Sequence, residues 1–152
     1  MNAMSTSIAL FLHVISVVIW VGGMFLAYMA VRPAVVETLE PPQRLKLWTG
    51  IFRRFFPWVW AAALLIVASG FMMMGMMGRV PLYVLVMTII GIVMTAIFVY
   101  IYFVPFALLK RAVGAEDWKT GGAALGTIRM LVGTNLLLGI MNVAVAVLGR
   151  GL

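Results

Sequence analysis

From Ile8 to Val31 the chain contains no Asp, Glu, Lys or Arg, and this run is long enough to cross a lipid bilayer. A membrane-spanning helix needs about 20 apolar residues, because each residue of an α-helix advances about 1.5 Å. Three further uncharged segments follow, at 55–77, 80–109 and 130–148. Backbone polar groups cannot stay unpaired in lipid, so the four segments predict four transmembrane helices.

The composition agrees with a protein that lies mostly in the bilayer. Hydrophobic residues make up 65% of the chain and charged residues 10%, whereas about a quarter of the residues of a soluble domain are charged. A length of 152 residues suffices for one compact bundle without a second domain. We therefore predict an all-α membrane protein, a single up-down bundle of four transmembrane helices over residues 1–152.

The basic residues are concentrated in two loops and predict the orientation of the bundle. Nine of the eleven Lys and Arg residues lie within 32–54 and 110–129; Arg79 and Arg150 lie elsewhere. The nine are Arg32, Arg44, Lys46, Arg53, Arg54, Lys110, Arg111, Lys119 and Arg129. The positive-inside rule places such loops in the cytoplasm and both termini on the outer side of the membrane. The net charge of +7 then reflects topology and contact with anionic lipid, and we expect no nucleic-acid partner.

A short amphipathic segment precedes the second span. Pro41 and Pro42 can begin a helix over about 41–54, on which Leu45 and Trp48 share a face. We expect this helix to lie at the membrane interface and to lead into the span near Pro57.

The only histidine of the chain lies inside the first span. On a helix, His13, Ser16, Trp20 and Gly23 follow one another at steps of three and four residues, so they form a single stripe. We expect that stripe to face protein, since ionisable groups within a membrane are functional by default. The alternative is a structural hydrogen bond from His13 to a polar side chain on another helix; the candidates are Ser69, Asn135 and Asn142.

Methionines reach the same depth as His13 in the neighbouring spans. With its N-terminus outside, His13 lies about 12 Å below the outer surface, at about 1.5 Å per residue. The methionines predicted near this layer are Met72, Met73, Met87 and Met141. Imidazole and thioether ligands together suit Cu(I), and they also suit haem iron. The alternative is that the methionines only fill gaps between helices.

These residues define two candidate sites. A Cu(I) site would consist of His13 with some of Met72, Met73, Met76, Met77 and Met87. A haem b site would use His13 as axial ligand, with Trp20 and Gly23 shaping the pocket and Met87 as a second ligand. The glycines predicted in this layer, Gly70, Gly91 and Gly139, would either make room for a planar cofactor or allow close helix contact.

The acidic residues exclude several other chemistries. Glu37, Glu40, Glu116 and Asp117 all lie in the predicted cytoplasmic loops. No carboxylate can therefore reach His13 across the bilayer, which excludes Ser-His-Asp and two-carboxylate catalysis. Proton pumps and most ion-coupled transporters use intramembrane charge and are equally disfavoured. Any enzymatic activity would depend on a cofactor.

The sequence also resembles a known family. The segments LHVISVVIWVGGMFLAYMAVRP, LEPPQRLKLW, FRRFFPWVW and IRMLVGTNLLLG resemble the short, four-span proteins of the bacterial CopD family. This resemblance implies an inner-membrane protein of copper resistance or uptake, acting beside a periplasmic copper-binding protein. The first-helix pattern of His13, Trp20 and small residues is also similar to that of HemJ-type protoporphyrinogen oxidases. In those proteins the first-helix histidine binds haem b.

Three functions therefore remain open. The first is copper handling through an outward-facing His/Met Cu(I) site. The second is a haem b protein of electron transfer or porphyrin oxidation, and the third is an accessory subunit of a membrane complex. The third span, which begins VPLYVLVMT, has no second His or Lys, so a second strong ligand would come from Met87 or from His13 of another copy in a homodimer.

Overall fold

The computed structural model of the protein describes residues 3–149. These residues form six α-helices and one π-helical turn: α1 Ala3–Leu26, the π-helical turn Ala27–Val31, α2 Arg32–Thr38, α3 Pro41–Gly75, α4 Leu82–Phe103, α5 Pro105–Gly114 and α6 Trp118–Leu148. Four continuous helical stretches, Met4–Thr38, Pro41–Gly75, Leu82–Gly114 and Trp118–Leu148, are long and apolar enough to cross a membrane. The predicted all-α fold with four spanning helices is confirmed.

The helices pack as an antiparallel bundle. α1 packs chiefly on α3, while α4 and α5 pack on α6. The hydroxyl of Thr6 contacts Met76 and His13 contacts Ser69, so α1 and α3 run in opposite directions. The start of α1, the α3–α4 turn and the end of α6 share one end of the bundle, which we name the turn end. The opposite end, which carries the two basic loops, is the basic end.

A proline explains the π-helical turn at the basic end of the first span. Pro33 has no backbone N–H, and its ring would clash with the carbonyl group one helical turn earlier. The N–H of Arg32 bonds to the carbonyl oxygen of Ala27, five residues back instead of four. The helix thus widens for one turn and then continues as α2, so the first span extends beyond Val31.

The segment 41–54 is helical but is not a separate element. It forms the first turns of α3, where Glu40 and Gln43 make a reciprocal capping box, and the helix continues through Pro57 without interruption. Its apolar face packs into the protein: Leu45 and Phe52 are buried, and Phe52 lies edge-on to Phe106 of α5. This face therefore meets protein instead of resting on the membrane surface.

The last two spans also differ from the apolar runs in extent. The third breaks at Val104, just before Pro105, and continues as α5. The fourth helix begins at Trp118, far before the apolar run at 130, because Asp117 caps its first turn by accepting from the N–H of Thr120. Gly121 does not interrupt this helix, since it lies where α6 meets Leu45.

The core is concentrated in the middle and toward the basic end. Between Trp20 and the turn end, α1 buries only Ala9 and Ser16 among its described residues, and beyond Ala63 α3 buries only Ser69. The large aromatic side chains of α3, α4 and α5 pack around Phe56. Side chains near the turn end are thus the more accessible part of the bundle.

Candidate metal site at His13

The stripe predicted on the first helix faces the interior of the bundle. Ser16 is 1% exposed and Trp20 is 3% exposed, and Met24, one turn further along, is 4% exposed. His13 lies at the end of this stripe nearer the turn end, where it is half-buried. The expectation that the stripe faces protein is confirmed, and it places the only imidazole between the closed core and the more accessible turn end.

A hydrogen bond to α3 orients the imidazole ring. His13 Nδ1 lies 2.9 Å from Ser69 Oγ, so Ser69 is the partner among the three expected candidates. The Ser69 hydroxyl donates to the carbonyl oxygen of Leu65. A hydroxyl has one hydrogen to donate; because that of Ser69 goes to Leu65, we assign the ring proton to Nδ1, which then donates to Ser69 Oγ. Nε2 of the neutral ring then keeps a free lone pair.

The neighbouring glycine leaves space beside this ring. A Cβ atom placed on Gly70 would lie 3.6 Å from Cε1 of His13, which is ordinary contact distance. α3 therefore presents a hydroxyl and a face without a side chain to the imidazole. The ring is held from one side by Ser69 and is not enclosed by bulky neighbours there.

Two of the predicted methionines, Met72 on α3 and Met76 directly after it, lie toward α1. Met76 Sδ accepts a hydrogen bond from Thr6 Oγ1 at 3.9 Å. Met72 lines an open groove together with Ser69. Going from Ser69 to Met72 and Met76 takes steps of three and four residues, so the three side chains form one stripe that continues from the imidazole to the turn end.

The groove opens between α1 and α3 next to the partner of His13. Its volume is about 320 Å³, and it is lined by Ser5, Ile8, Ala9, Leu12, Leu65, Ala68, Ser69 and Met72. Most of these side chains are small or aliphatic, as is typical of a surface that faces lipid. The groove therefore reaches Ser69 from the side of the bundle.

The other predicted methionines are placed differently. Met74, which was not among them, has its sulfur 3.3 Å from Thr88 Oγ1 of α4 and faces that helix. Met73 is half-buried, and Met77, 39% exposed, lies in the turn after α3. Met87 is half-buried on α4, a helix that packs mainly on α6 and touches α1 only slightly.

Trp20 and Gly23 serve the packing of aromatic rings. Trp20 packs edge-on against Phe98 of α4 with ring centroids 5.9 Å apart. A Cβ atom on Gly23 would lie 2.2 Å from Cζ of Phe55, so the glycine gives space to that ring of α3. Gly23 therefore allows close contact between α1 and α3.

Sequence reasoning did not single out Asn135 and Met24 as a pair. Asn135 is 1% exposed, its amide nitrogen donates to the carbonyl oxygen of Met94, and its Oδ1 has no partner. The sequence did contain a signal for each residue. Met24 follows Trp20 by four residues and so extends the buried stripe, and Asn135 is a polar side chain inside a span, which is uncommon. Their proximity across α1 and α6 is a tertiary property.

The arrangement suits a soft ion with few ligands. Within residues 3–149, no three His, Asp or Glu side chains come together as a metal-binding group. A hard divalent cation prefers several oxygen ligands, whereas imidazole and thioether groups suit Cu(I). The region offers one imidazole bound to Ser69, with Met72 and Met76 following Ser69 in the chain toward the turn end.

Comparison with known proteins adds one finding. The family model CopD, described as copper resistance protein D, matches residues 49–148, which is more than half of the chain. The matched region runs from within α3 to the end of α6, so α1 with His13 lies before it. No curated protein and no solved structure matches the chain. The similarity of the first helix to HemJ-type proteins receives no support from these comparisons.

Proposed function

The chain belongs to the copper resistance protein D (CopD) family, and from that premise we propose that this multi-pass membrane protein binds Cu(I) through Nε2 of His13. Copper is the cargo of this site. Thioether sulfur from methionines of the set predicted above completes the coordination. Met72 and Met76 are the foremost members of that set because they continue the stripe of Ser69 toward the turn end.

The hydrogen bond from His13 Nδ1 to Ser69 Oγ, 2.9 Å long, is the observation that carries this proposal. Histidines that bind metals usually donate their other ring N–H to a fixed acceptor, which holds the tautomer and the ring plane. Ser69 performs that role here, and the carbonyl oxygen of Leu65 fixes Ser69 in turn. The pair therefore presents the Nε2 lone pair in a defined direction.

The proposed orientation places the turn end in the periplasm of a bacterial inner membrane. The two loops at the basic end carry nine of the eleven Lys and Arg residues, and such loops stay in the cytoplasm. Cu(I) would then reach His13 from the oxidising side, delivered by a periplasmic copper-binding protein. Thioethers bind weakly enough for the ion to move on.

The remaining alternatives have less support. The family match gives no support to haem b or to a purely accessory role. The space beside Gly23, which a haem pocket would use, is filled by the Phe55 ring. A homodimer fits the copper proposal, since a second copy of His13 could complete a two-nitrogen site.

The test is anaerobic titration of the detergent-purified protein with Cu(I) in the presence of a competing chelator. We expect His13→Ala to abolish the His13 site and Ser69→Ala to weaken it, since the latter releases the ring without removing Nε2. Met72→Leu should weaken binding by a smaller factor. Met130→Leu is the matched control. Met130 is 64% exposed and lies in the half of α6 nearer the basic end, so this variant should bind Cu(I) as the wild type does.

Binding that is unchanged in His13→Ala would overturn the site. An absorbance spectrum of the same preparation tests the haem alternative. A Soret band that is lost in His13→Ala would assign His13 to haem iron instead of copper.

A further inference from the structure

The first span and α6 meet along a seam that two glycines of α6 define. A Cβ atom on Gly133 would lie 3.0 Å from Cε2 of Tyr28, and one on Gly139 would lie 2.9 Å from Cγ2 of Val21. Residue numbers rise along the first span as they fall along α6, so the two helices are antiparallel. We name this line of contact the α6 seam; Tyr28 against Gly133 is the contact nearer the basic end.

Two arginines flank the α6 seam at its basic end. The guanidinium carbon of Arg32 lies 5.2 Å from the centre of the Tyr28 ring. Arg129 precedes Gly133 by four residues, so it lies on the same face of α6, one turn of about 5.4 Å nearer the basic end. Each of the two helices therefore contributes one cation beside the tyrosine.

The chain does not neutralise these two arginines. Within residues 3–149, neither Arg32 nor Arg129 has a carboxylate partner or donates a side-chain hydrogen bond. Arg44 differs, since it donates to the carbonyl oxygens of Leu39 and Val36. A guanidinium group offers several N–H donors in one plane, which suits a phosphate group. The two arginines therefore keep their donors for an anion from outside the chain.

Apolar side chains continue the α6 seam deeper into the span. Phe25 precedes Tyr28 by three residues and Leu137 follows Gly133 by four, so each lies about one turn further from the basic end. Both side chains are exposed on the outside of the bundle, where a membrane protein faces lipid. The surface thus changes from apolar to cationic along the seam, in the same order as the acyl chains and headgroup of a phospholipid.

We propose that the α6 seam binds one anionic phospholipid, with its phosphodiester between Arg32 and Arg129 and its acyl chains along Phe25 and Leu137. Charge complementarity selects the headgroup: phosphatidylglycerol has a net negative charge, whereas phosphatidylcholine also carries an ammonium group that the two arginines repel. The apolar walls select a lipid over a soluble phosphate. This site is independent of copper binding.

The experiment is native mass spectrometry of the copper-free full chain, released from micelles with equal amounts of phosphatidylglycerol and phosphatidylcholine. The wild type is expected to retain one phosphatidylglycerol in preference. A variant with both Arg32→Gln and Arg129→Gln should lose this preference by about 10- to 30-fold, the effect of two cations. A variant with Arg53→Gln and Arg111→Gln is the matched control: it loses the same charge from exposed residues of α3 and α5, away from the seam, and should bind as the wild type does.

Three results would overturn the lipid site. The first is unchanged retention of phosphatidylglycerol in the Arg32→Gln and Arg129→Gln variant. The second is an equal loss in the matched control, which would show that retention follows total charge instead of the seam. The third is release of the lipid by inorganic phosphate but not by chloride of the same ionic strength, which would assign the arginines to a soluble anion. Because the protein contains no copper in this experiment, each of these results leaves the proposed function standing.

Discussion

At the scale of single residues, two adjacent glycines on α1 have opposite surroundings. A Cβ atom on Gly23 would lie 2.2 Å from the Phe55 ring, whereas one on Gly22 would meet nothing within 4 Å. Gly23 is therefore required by the packing of α1 on α3, and Gly22 is not. The pair separates the effect of helix propensity from the effect of packing.

We expect Gly23→Ala to destabilise the protein by about 1–3 kcal/mol, the usual range for an overpacked core. Gly22→Ala should be neutral or stabilising by up to about 1 kcal/mol, because alanine favours a helix. Thermal unfolding in detergent, followed by circular dichroism, measures both. Equal effects from the two substitutions would show that Phe55 does not pack against Gly23.

At the scale of helices, the contacts of Phe56 join three elements. Phe56 is 4% exposed and stacks on Phe52 of α3 with ring centroids 5.0 Å apart. It also lies edge-on to Phe98 of α4 and Phe106 of α5. Since lipid is as apolar as a protein core, the specific packing of these rings, and not their hydrophobicity, holds the helices together.

We expect Phe56→Ala to lower the free energy of unfolding by about 3 kcal/mol, the lower end for a Phe to Ala change in a packed core. Phe71→Ala, on the same helix but 54% exposed, is the control and should change it little. Denaturant titration in mixed micelles gives both values. A similar loss of unfolding free energy in the two variants would show that the contacts of Phe56 do not hold the three helices together.

The start of α6 depends on one carboxylate. Hydrogen bonds from Thr120, through its side chain and its backbone N–H, hold the pKa of Asp117 below its usual value. Because the folded pKa is lowered, the stabilisation is present above the unfolded pKa and is lost as pH falls through the lowered value, hence below about pH 4.

The test compares Asp117→Ala with Asp117→Asn. The alanine variant should lose the cap and melt at a lower temperature at neutral pH, whereas asparagine keeps an oxygen acceptor and should melt near the wild type. Asparagine should also remove the dependence on pH below about 4 that belongs to this carboxylate. Identical melting of the alanine variant and the wild type at neutral pH would exclude a capping role.

At the scale of the whole molecule, charge distinguishes the two ends. The basic end carries cations that also pack on aromatic faces: Lys110 lies 4.7 Å from the centre of the Phe106 ring, and Lys46 lies 5.4 Å from that of Trp118. Charged groups and aromatic rings together are typical of a membrane–water interface. This end is therefore expected at a membrane surface, and its nine Lys and Arg residues select the cytoplasmic one.

The chain contains no cysteine, so single cysteines can report the orientation. Gly78→Cys, in the open turn after α3, should react with a membrane-impermeant maleimide in intact spheroplasts. Ala115→Cys, exposed in the loop between α5 and α6, should react only after the cells are permeabilised. The reverse pattern would invert the orientation and place His13 nearer the cytoplasm.

The sequence alone determined the fold class, the four spans and the protein-facing stripe that begins at His13. These properties depend on the length and the period of apolar residues, which the bilayer imposes locally on each helix. The partner of His13 was narrowed to three side chains, and only the antiparallel docking of α1 on α3 selected Ser69. The early start of α6 follows from the local Asp117 cap, whereas the packing of the 41–54 face against α5 depends on contacts between distant segments. Such contacts arise only when all four helices pack together, so the tertiary structure decided them.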